Sequence, residues 1–212
     1  MIADEDAARA YVAGLCDDMA MQRLKRFCAL LTEENARQNL IARGTVSGIW
    51  QRHIADSAQL LAYVARETGV WLDLGTGAGF PGLVAAIMRP DMEVRLVESR
   101  KLRIEWLQGV IGALELKACT VLGVRLEQVA SFQASVISGR AFAPLPRLLA
   151  LSARFSTSDT IWLLPKGRSA KQELEQLPVS RRKMFRVKQS LTDPESGILV
   201  SGPASPATAK AR

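Results

Sequence analysis

Three glycines in alternate positions, Gly75, Gly77 and Gly79, follow the apolar run Trp71-Leu72-Asp73-Leu74, and Glu98 closes the next such run, Glu93-Val94-Arg95-Leu96-Val97. Glycines placed in this way let the backbone turn tightly and approach a ligand where a Cβ would collide. A carboxylate at the end of the second strand of a doubly wound fold accepts hydrogen bonds from ribose hydroxyls. With the helix-forming run Leu83–Met88 after the loop, these residues point to a ribose-bearing, nucleotide-type ligand. The loop is not a dinucleotide fingerprint, because G-x-G-x-x-G requires a glycine where Phe80 stands, and no Gly-Lys-Ser or Gly-Lys-Thr follows to make a P-loop. The plainer alternative is a strand-to-helix turn with Glu98 as a solvated charge. The order and spacing of strand, glycines, helix and acid favour the ligand.

The elements that must hold this loop read as an alternation. Strands are expected near 70–74, 93–97, 119–122, 134–138 and 160–164, separated by helical stretches such as Leu102–Leu114 and Leu145–Phe155. Such alternation builds a parallel sheet covered on both faces. Two further strands, near 184–190 and 197–201, flank the turn Thr192-Asp193-Pro194-Glu195 and can form an antiparallel hairpin. Ahead of the sheet, residues 7 to 65 read as helical, with Leu24, Phe27 and Leu31 as one apolar stripe and Trp50, Ile54 and Leu61 as another. Gly44 is expected to stop one of these helices and Thr45 or Ser47 to cap the next. The division expected is a helical extension over 1–65, a ligand-binding domain over 66–201 and a disordered tail over 202–212, which carries no large apolar residue.

Composition limits the functional classes. The chain has 212 residues, 48% of them apolar, enough for one good-sized core. Its 28 basic against 21 acidic side chains give +7, which favours a polyanionic partner without establishing one. Cys16, Cys28 and Cys119 form no C-x-x-C pair and His53 is the sole histidine, so no zinc site is expected and the cysteines read as reduced, mostly buried thiols. The acidic N-terminus is unlike a signal peptide, and no apolar stretch approaches the ~18 residues of a membrane span. A cytoplasmic protein with no membrane partner is expected.

From Asp73 the loop reads D-x-G-x-G-x-G, which resembles the first motif of class I S-adenosylmethionine-dependent methyltransferases. Further segments narrow the resemblance: Asn39-Leu40-Ile41, Arg52-His53-Ile54-Ala55-Asp56-Ser57, Gly79-Phe80-Pro81-Gly82, Val136-Ile137-Ser138-Gly139-Arg140-Ala141-Phe142 and Leu164-Pro165-Lys166-Gly167. Over residues 35–200 the sequence resembles the bacterial small-subunit (16S) ribosomal RNA guanine-N7 methyltransferase G family, also called RsmG or GidB.

That resemblance implies an α/β class I methyltransferase fold: a doubly wound, mostly parallel sheet with an antiparallel last strand and an N-terminal helical extension. It implies S-adenosylmethionine as cofactor, with Gly75, Gly77, Gly79 and Phe80 along its methionine and ribose part, Glu98 on the ribose hydroxyls and the adenine near Leu126 and Glu127. Arg140 is expected at the mouth of the site, counted with the cofactor residues, and Lys166 at the end of the fifth strand. With His53, these two are the candidates for a catalytic role. The implied partner is 16S ribosomal RNA or the small ribosomal subunit, met by a monomer through Arg100, Lys101, Arg103, Lys166 and Arg168. Arg147 and the run Arg181-Arg182-Lys183 could extend that surface around the cofactor mouth. Leu102 departs from the family pattern, standing where one of a basic pair is expected.

His53 and Asp56, three apart on a helix, share a face, as do Arg52 and Asp56 at four apart. A general base is unnecessary for the implied chemistry, since guanine N7 carries a free lone pair on the outer edge of the base. A methyltransferase acting on a small molecule or protein, and a module that binds S-adenosylmethionine without transferring methyl, both fit the same loop.

Overall fold

A computed structural model describes residues 1–66 and 68–202. Seven strands, β1 (Trp71–Leu74), β2 (Val94–Val97), β3 (Cys119–Leu122), β4 (Val136–Ser138), β5 (Ile161–Lys166), β6 (Phe185–Gln189) and β7 (Gly197–Ser201), join in one sheet in the order 3-2-1-4-5-7-6. The first five pair in parallel, and β7 runs antiparallel to both β5 and β6. This is the doubly wound sheet with an antiparallel last strand that the alternation and the resemblance predict. The tail expected to be disordered lies, beyond Gly202, outside the described residues.

Each central strand is apolar on both faces because helices cover both. Trp71, Leu96, Val136, Leu163 and Ile198 face a core built with Leu24, Phe27 and Leu31 of α2 (Asp18–Gln38), Ile54, and Leu83 and Ile87 of α4 (Gly82–Met88). Leu72, Leu74, Ile137, Trp162 and Leu199 face the other core, with Leu145, Leu148 and Leu149 of α6 (Leu145–Ser152) and Ala170 of α7 (Ala170–Glu175). Successive residues of β1 alternate between the two, as strand geometry requires. The N-terminal helices thus share a core with the sheet.

Local signals explain the starts of the first two helices. Asp4 and Asp17 cap α1 (Glu5–Ala13) and α2, accepting from Ala7 N and Ala20 N at 2.8 Å each. Two expectations fail here. α2 stops at Gln38 on Asn39, held in the left-handed region at φ 47°, and Gly44 lies inside a 3₁₀ turn, Arg43–Thr45. Neither Thr45 nor Ser47 caps the next segment: Thr45 Oγ1 donates to Ala42 O, and the amides of Trp50 and Gln51 donate instead to the Glu5 carboxylate of α1, at 3.0 and 2.7 Å. That segment is helical throughout but irregular, π-helical over Trp50–Ala55, α-helical over α3 (Asp56–Ala58) and 3₁₀ over Gln59–Tyr63. Among the described residues no helix is long and apolar enough to cross a membrane, and none of the acidic, cysteine and histidine residues group as a metal site.

Candidate active site

The glycine loop is fixed from below by Asp73, which β1 presents on the same face as Ser138 of the adjacent β4. Its carboxylate, fully buried, accepts from Ser138 Oγ at 2.6 Å, Thr76 Oγ1 at 2.7 Å and Gly82 N at 3.1 Å. Ser138 Oγ in turn accepts from the Trp71 indole at 2.7 Å, which leaves its own proton for Asp73. Burial pushes the Asp73 carboxyl upward, against the pull of these donors. Gly82 is obligatory here: a Cβ would lie 2.8 Å from the Asp73 carboxylate and 2.4 Å from Leu96. Gly75 has φ +62°, and a side chain there would strike Phe142 at 2.5 Å.

Above the loop a cleft of about 240 Å³ opens at the carboxyl ends of β1 to β4, where open α/β sheets bind ligands. Its lining includes Gly75, Glu98, Arg100, Arg103, Leu126 and Phe142. Glu98 is 6% exposed and accepts from three backbone amides: Gly77 N at 3.1 Å, Ser99 N at 2.7 Å and Arg100 N at 2.9 Å. A carboxylate has about four acceptor positions, so Glu98 retains capacity for one further donor in the cleft. Arg103 stands 4.0 Å from it. The site is therefore a ribose-sized acceptor beside a backbone cradle, walled by Leu126 and rimmed by guanidinium groups. This donor and acceptor set fits a nucleoside.

The structure divides the residues singled out from the sequence. Gly75, Glu98 and Leu126 line the cleft, together with Arg100 and Arg103. Gly77 stands one hydrogen bond behind, through Glu98. Glu127 is exposed and outside the lining. Gly79 is buried against Leu83. Phe80 is 2% exposed, tilted against Phe27 at 5.5 Å and stacked on His53 at 5.0 Å, so its ring packs the layer beneath the loop and does not face the cleft. The cleft residues that sequence reasoning missed are Val97, Ser99, Val124, Arg125, Ala141 and Phe142. Arg125 follows β3 by three residues, and the same strand-end rule that selected Arg140 could have found it.

Lys166 corrects a second expectation. It is 7% exposed, and its ammonium is engaged by Glu173 of α7 at 2.7 Å and by Ala143 O at 3.4 Å. Glu173 also accepts from Leu145 N at 3.3 Å, and its carboxyl is held below its usual range. Lys166 is thus neutralised inside the fold, where it ties the loop after β4 to α7, and has no free charge for RNA or catalysis. Arg168 is exposed and paired with Glu195; Lys101 is exposed beside Glu105 at 3.9 Å. The Arg181-Arg182-Lys183 run does not surround the mouth. It includes the end of α8 (Val179–Arg182) and precedes β6, four strands or about 19 Å across the sheet from β1, at the opposite end of the strands. Leu102, at the departure from the family pattern, is 62% exposed.

Arg140, counted with the cofactor residues from the sequence, is not among the residues lining the cleft; it follows β4 and reaches to the helical segment over 50–58. Its Nη2 lies 3.2 Å from His53 Nδ1, its Nη1 3.7 Å from Asp56 Oδ2, and its guanidinium sits 5.1 Å from the centre of the Phe80 ring. Asp56 is held in place by Gln59 and Thr192, each at 2.9 Å. Burial pushes its carboxyl up while Arg140 opposes the shift. Asp56 and His53 do share a face, as expected, but Arg52 turns away to the half-buried Asp193 at 4.0 Å because Asp56 is committed to the interior. Since a guanidinium only donates, His53 Nδ1 accepts, and the ring is neutral with its proton on Nε2, directed at Thr45 Oγ1 2.9 Å away.

Burial, Arg140 and Arg52 push the His53 pKa down to about 3. On unfolding the imidazole regains a pKa near 6.5, so below that pH the unfolded chain binds a proton that the folded one does not. Stability from this group is complete above pH ~6.5 and falls by about 1.4 kcal/mol per unit toward pH ~3. As His53 is the only histidine, denaturant melts at pH 6.5 and 5 should differ by about 2 kcal/mol in the wild type and by much less in His53→Asn. Equal pH dependence in the two would contradict the neutral, buried assignment.

Comparison with known proteins gives the family and the fold. The sequence model of the family described as rRNA small subunit methyltransferase G (GidB) matches residues 20–193. The chain is 58% identical to the ribosomal RNA small subunit methyltransferase G of Erythrobacter litoralis over 94% of its length and 97% of that protein's. It is 59% identical to the protein of the same name from Novosphingobium aromaticivorans over 87% of its length and 81% of that protein's. Among solved structures, an RNA methyltransferase from Salinibacter ruber in complex with S-adenosyl-L-homocysteine shares the fold with a TM-score of 0.52 at 14% identity, covering 68% of this chain and 88% of its own. The mitomycin 7-O-methyltransferase MmcR does so with a TM-score of 0.58 at 16% identity, covering 84% and 60%. With a family match spanning most of the sequence and a doubly wound sheet carrying the glycine loop and its carboxylate, the chain belongs to the rRNA small subunit methyltransferase G family and is a methyltransferase.

Proposed function

We propose that this enzyme transfers the methyl group of S-adenosylmethionine to N7 of one guanine in small-subunit ribosomal RNA. The observation that carries the reading is the cleft in which an acceptor carboxylate, Glu98, and the turn at Gly75 meet a basic rim of Arg100, Arg103 and Arg125. The carboxylate and turn suit a ribose-bearing cofactor, and the rim suits a phosphate-bearing substrate. S-adenosylmethionine is the methyl donor, supplying an electrophilic methyl on sulfonium sulfur.

The residues present match chemistry that needs no base. Among the side chains at or near the cleft, His53 is committed as an acceptor to Arg140, Asp73 is buried under the loop and Glu98 is occupied by amides. None is required to take a proton, because N7 presents a lone pair. The protein's work is alignment of the base with the methyl group, an effect of about 7–11 kcal/mol when the geometry is held well. Backbone groups fixed by Asp73 and by the Lys166–Glu173 pair supply that rigidity.

The test is incubation with methyl-labelled cofactor and either unmodified small subunits or their deproteinised RNA, followed by mapping of the label. Label at a single guanine supports the reading; cofactor binding without label on either substrate would refute it. Binding should also weaken steeply with salt. The triple change Arg100→Gln, Lys101→Gln, Arg125→Gln, at three exposed positions, should reduce the slope of log K against log salt by about 2 to 3. An unchanged slope would remove this rim from the RNA interface.

A further inference from the structure

Arg140 stands between two partners of different kinds. Asp56 faces one end of the guanidinium and balances its charge, while His53 Nδ1 accepts from the other end. The two hold it over the Phe80 ring, which itself stacks on His53. Beyond these partners the guanidinium meets no acceptor among the described residues, and none of its nitrogens is buried and unpaired. Its side chain is 28% exposed. The remaining N–H groups are left without an acceptor among the described residues, on the residue that precedes Ala141 and Phe142 of the cleft wall.

An arginine carries five N–H donors in a fixed plane, so fixing one edge aims the other. Asp56 cannot do this alone. At 3.7 Å its contact is an ion pair with loose direction, whereas the imidazole acceptor is directional. His53 is itself locked by Thr45, whose hydroxyl donates to Ala42 O and must accept from His53 Nε2.

We infer that His53 is a positioning residue for RNA methylation: its Nδ1 accepts from Arg140 and turns the free edge of the guanidinium toward an acceptor oxygen of the target nucleotide. This role rests on the proposed RNA substrate. It differs from the general-base role a histidine near an active site usually suggests, because the nitrogen facing Arg140 is an acceptor already in use.

Steady-state kinetics on small-subunit RNA, with cofactor affinity measured separately by calorimetry, test the assignment. H53A should raise KM for RNA by about 10- to 100-fold, the range for losing a hydrogen bond to a charged group, with cofactor affinity unchanged. H53N, whose Oδ1 replaces Nδ1 as acceptor, should recover most of the loss. H53Q, whose amide reaches instead toward Thr45, should not. The double variant H53A/R140A should be no worse than R140A, since the histidine acts only through the arginine. Thermal melts of H53N and H53Q verify that the comparison is made on folded protein. The role is overturned if H53A leaves KM for RNA unchanged, if H53N is no better than H53A, or if the effects of H53A and R140A multiply. A wild-type protein that binds cofactor but methylates no RNA would overturn the functional reading and this role together; the other outcomes overturn this role alone.

Discussion

Replacing Asp73 by Ala is expected to lower the stability of the enzyme by about 3–5 kcal/mol and its melting temperature by roughly 10 °C. The carboxylate satisfies three donors from three separate parts of the chain: Thr76 in the loop, Gly82 at the start of α4 and Ser138 on β4. Its removal leaves all three in an interior without water, and each unpaired buried donor costs about 1–3 kcal/mol. Relief of the desolvation that raises the Asp73 pKa offsets part of this loss, which is why the expected figure lies below the sum. The loop should fail before the fold does, so cofactor affinity measured well below the melting temperature should fall as well. A melting temperature within two or three degrees of wild type would show that the loop does not depend on Asp73.

The second large effect concerns Glu98. Glu98→Gln preserves shape but exchanges one acceptor oxygen for an N–H₂ group among three backbone donors, at Gly77, Ser99 and Arg100. At least one amide loses its partner, and the acceptor position left for the ribose loses its charge. Losing a hydrogen bond to a charged group is worth about 1.5–3 kcal/mol, so cofactor affinity should fall by roughly 10- to 150-fold. Because Glu98 closes the cleft side of the loop and does not join the core beneath it, the melting temperature without cofactor should move far less than for Asp73→Ala. Calorimetry with S-adenosylmethionine and its demethylated product reads the effect, and an unchanged affinity would exclude Glu98 from the cofactor site.

What could be read in the sequence follows the range of the interactions involved. The strands, the loop and the antiparallel closing strand all carry local signals, either apolar runs bounded by turn residues or glycines at fixed offsets, and they occur in the structure within a few residues of their expected positions. That Gly75 and Glu98 would line one cleft was legible because strand ends, glycines and a downstream acid form a pattern around one βαβ unit; Leu126, after β3, came only with the family resemblance. The failures involve side-chain partners that no periodicity announces, most of them far apart in the chain, although Glu173 follows Lys166 by only seven residues. Lys166 looked like a free charge at a strand end until α7 brought Glu173 against it. Phe80, next to the glycines, could have faced a ligand; the opposing helices supply Phe27 and His53 and draw it inward. The start of the segment at Trp50 carries no cap of its own because Glu5, 45 residues earlier, provides one. The contact between His53 and Arg140 spans 87 residues, beyond the reach of any periodicity.

The most direct test of the central claim removes the proposed nucleophile and nothing else. Small-subunit RNA transcribed with 7-deazaguanosine in place of guanosine keeps its base pairing but has carbon where N7 stood. Presented to the enzyme with methyl-labelled S-adenosylmethionine, free and reassembled with subunit proteins, the guanosine RNA should acquire label recoverable as 7-methylguanine, and the deaza RNA none. Equal labelling of the two would contradict methyl transfer to N7.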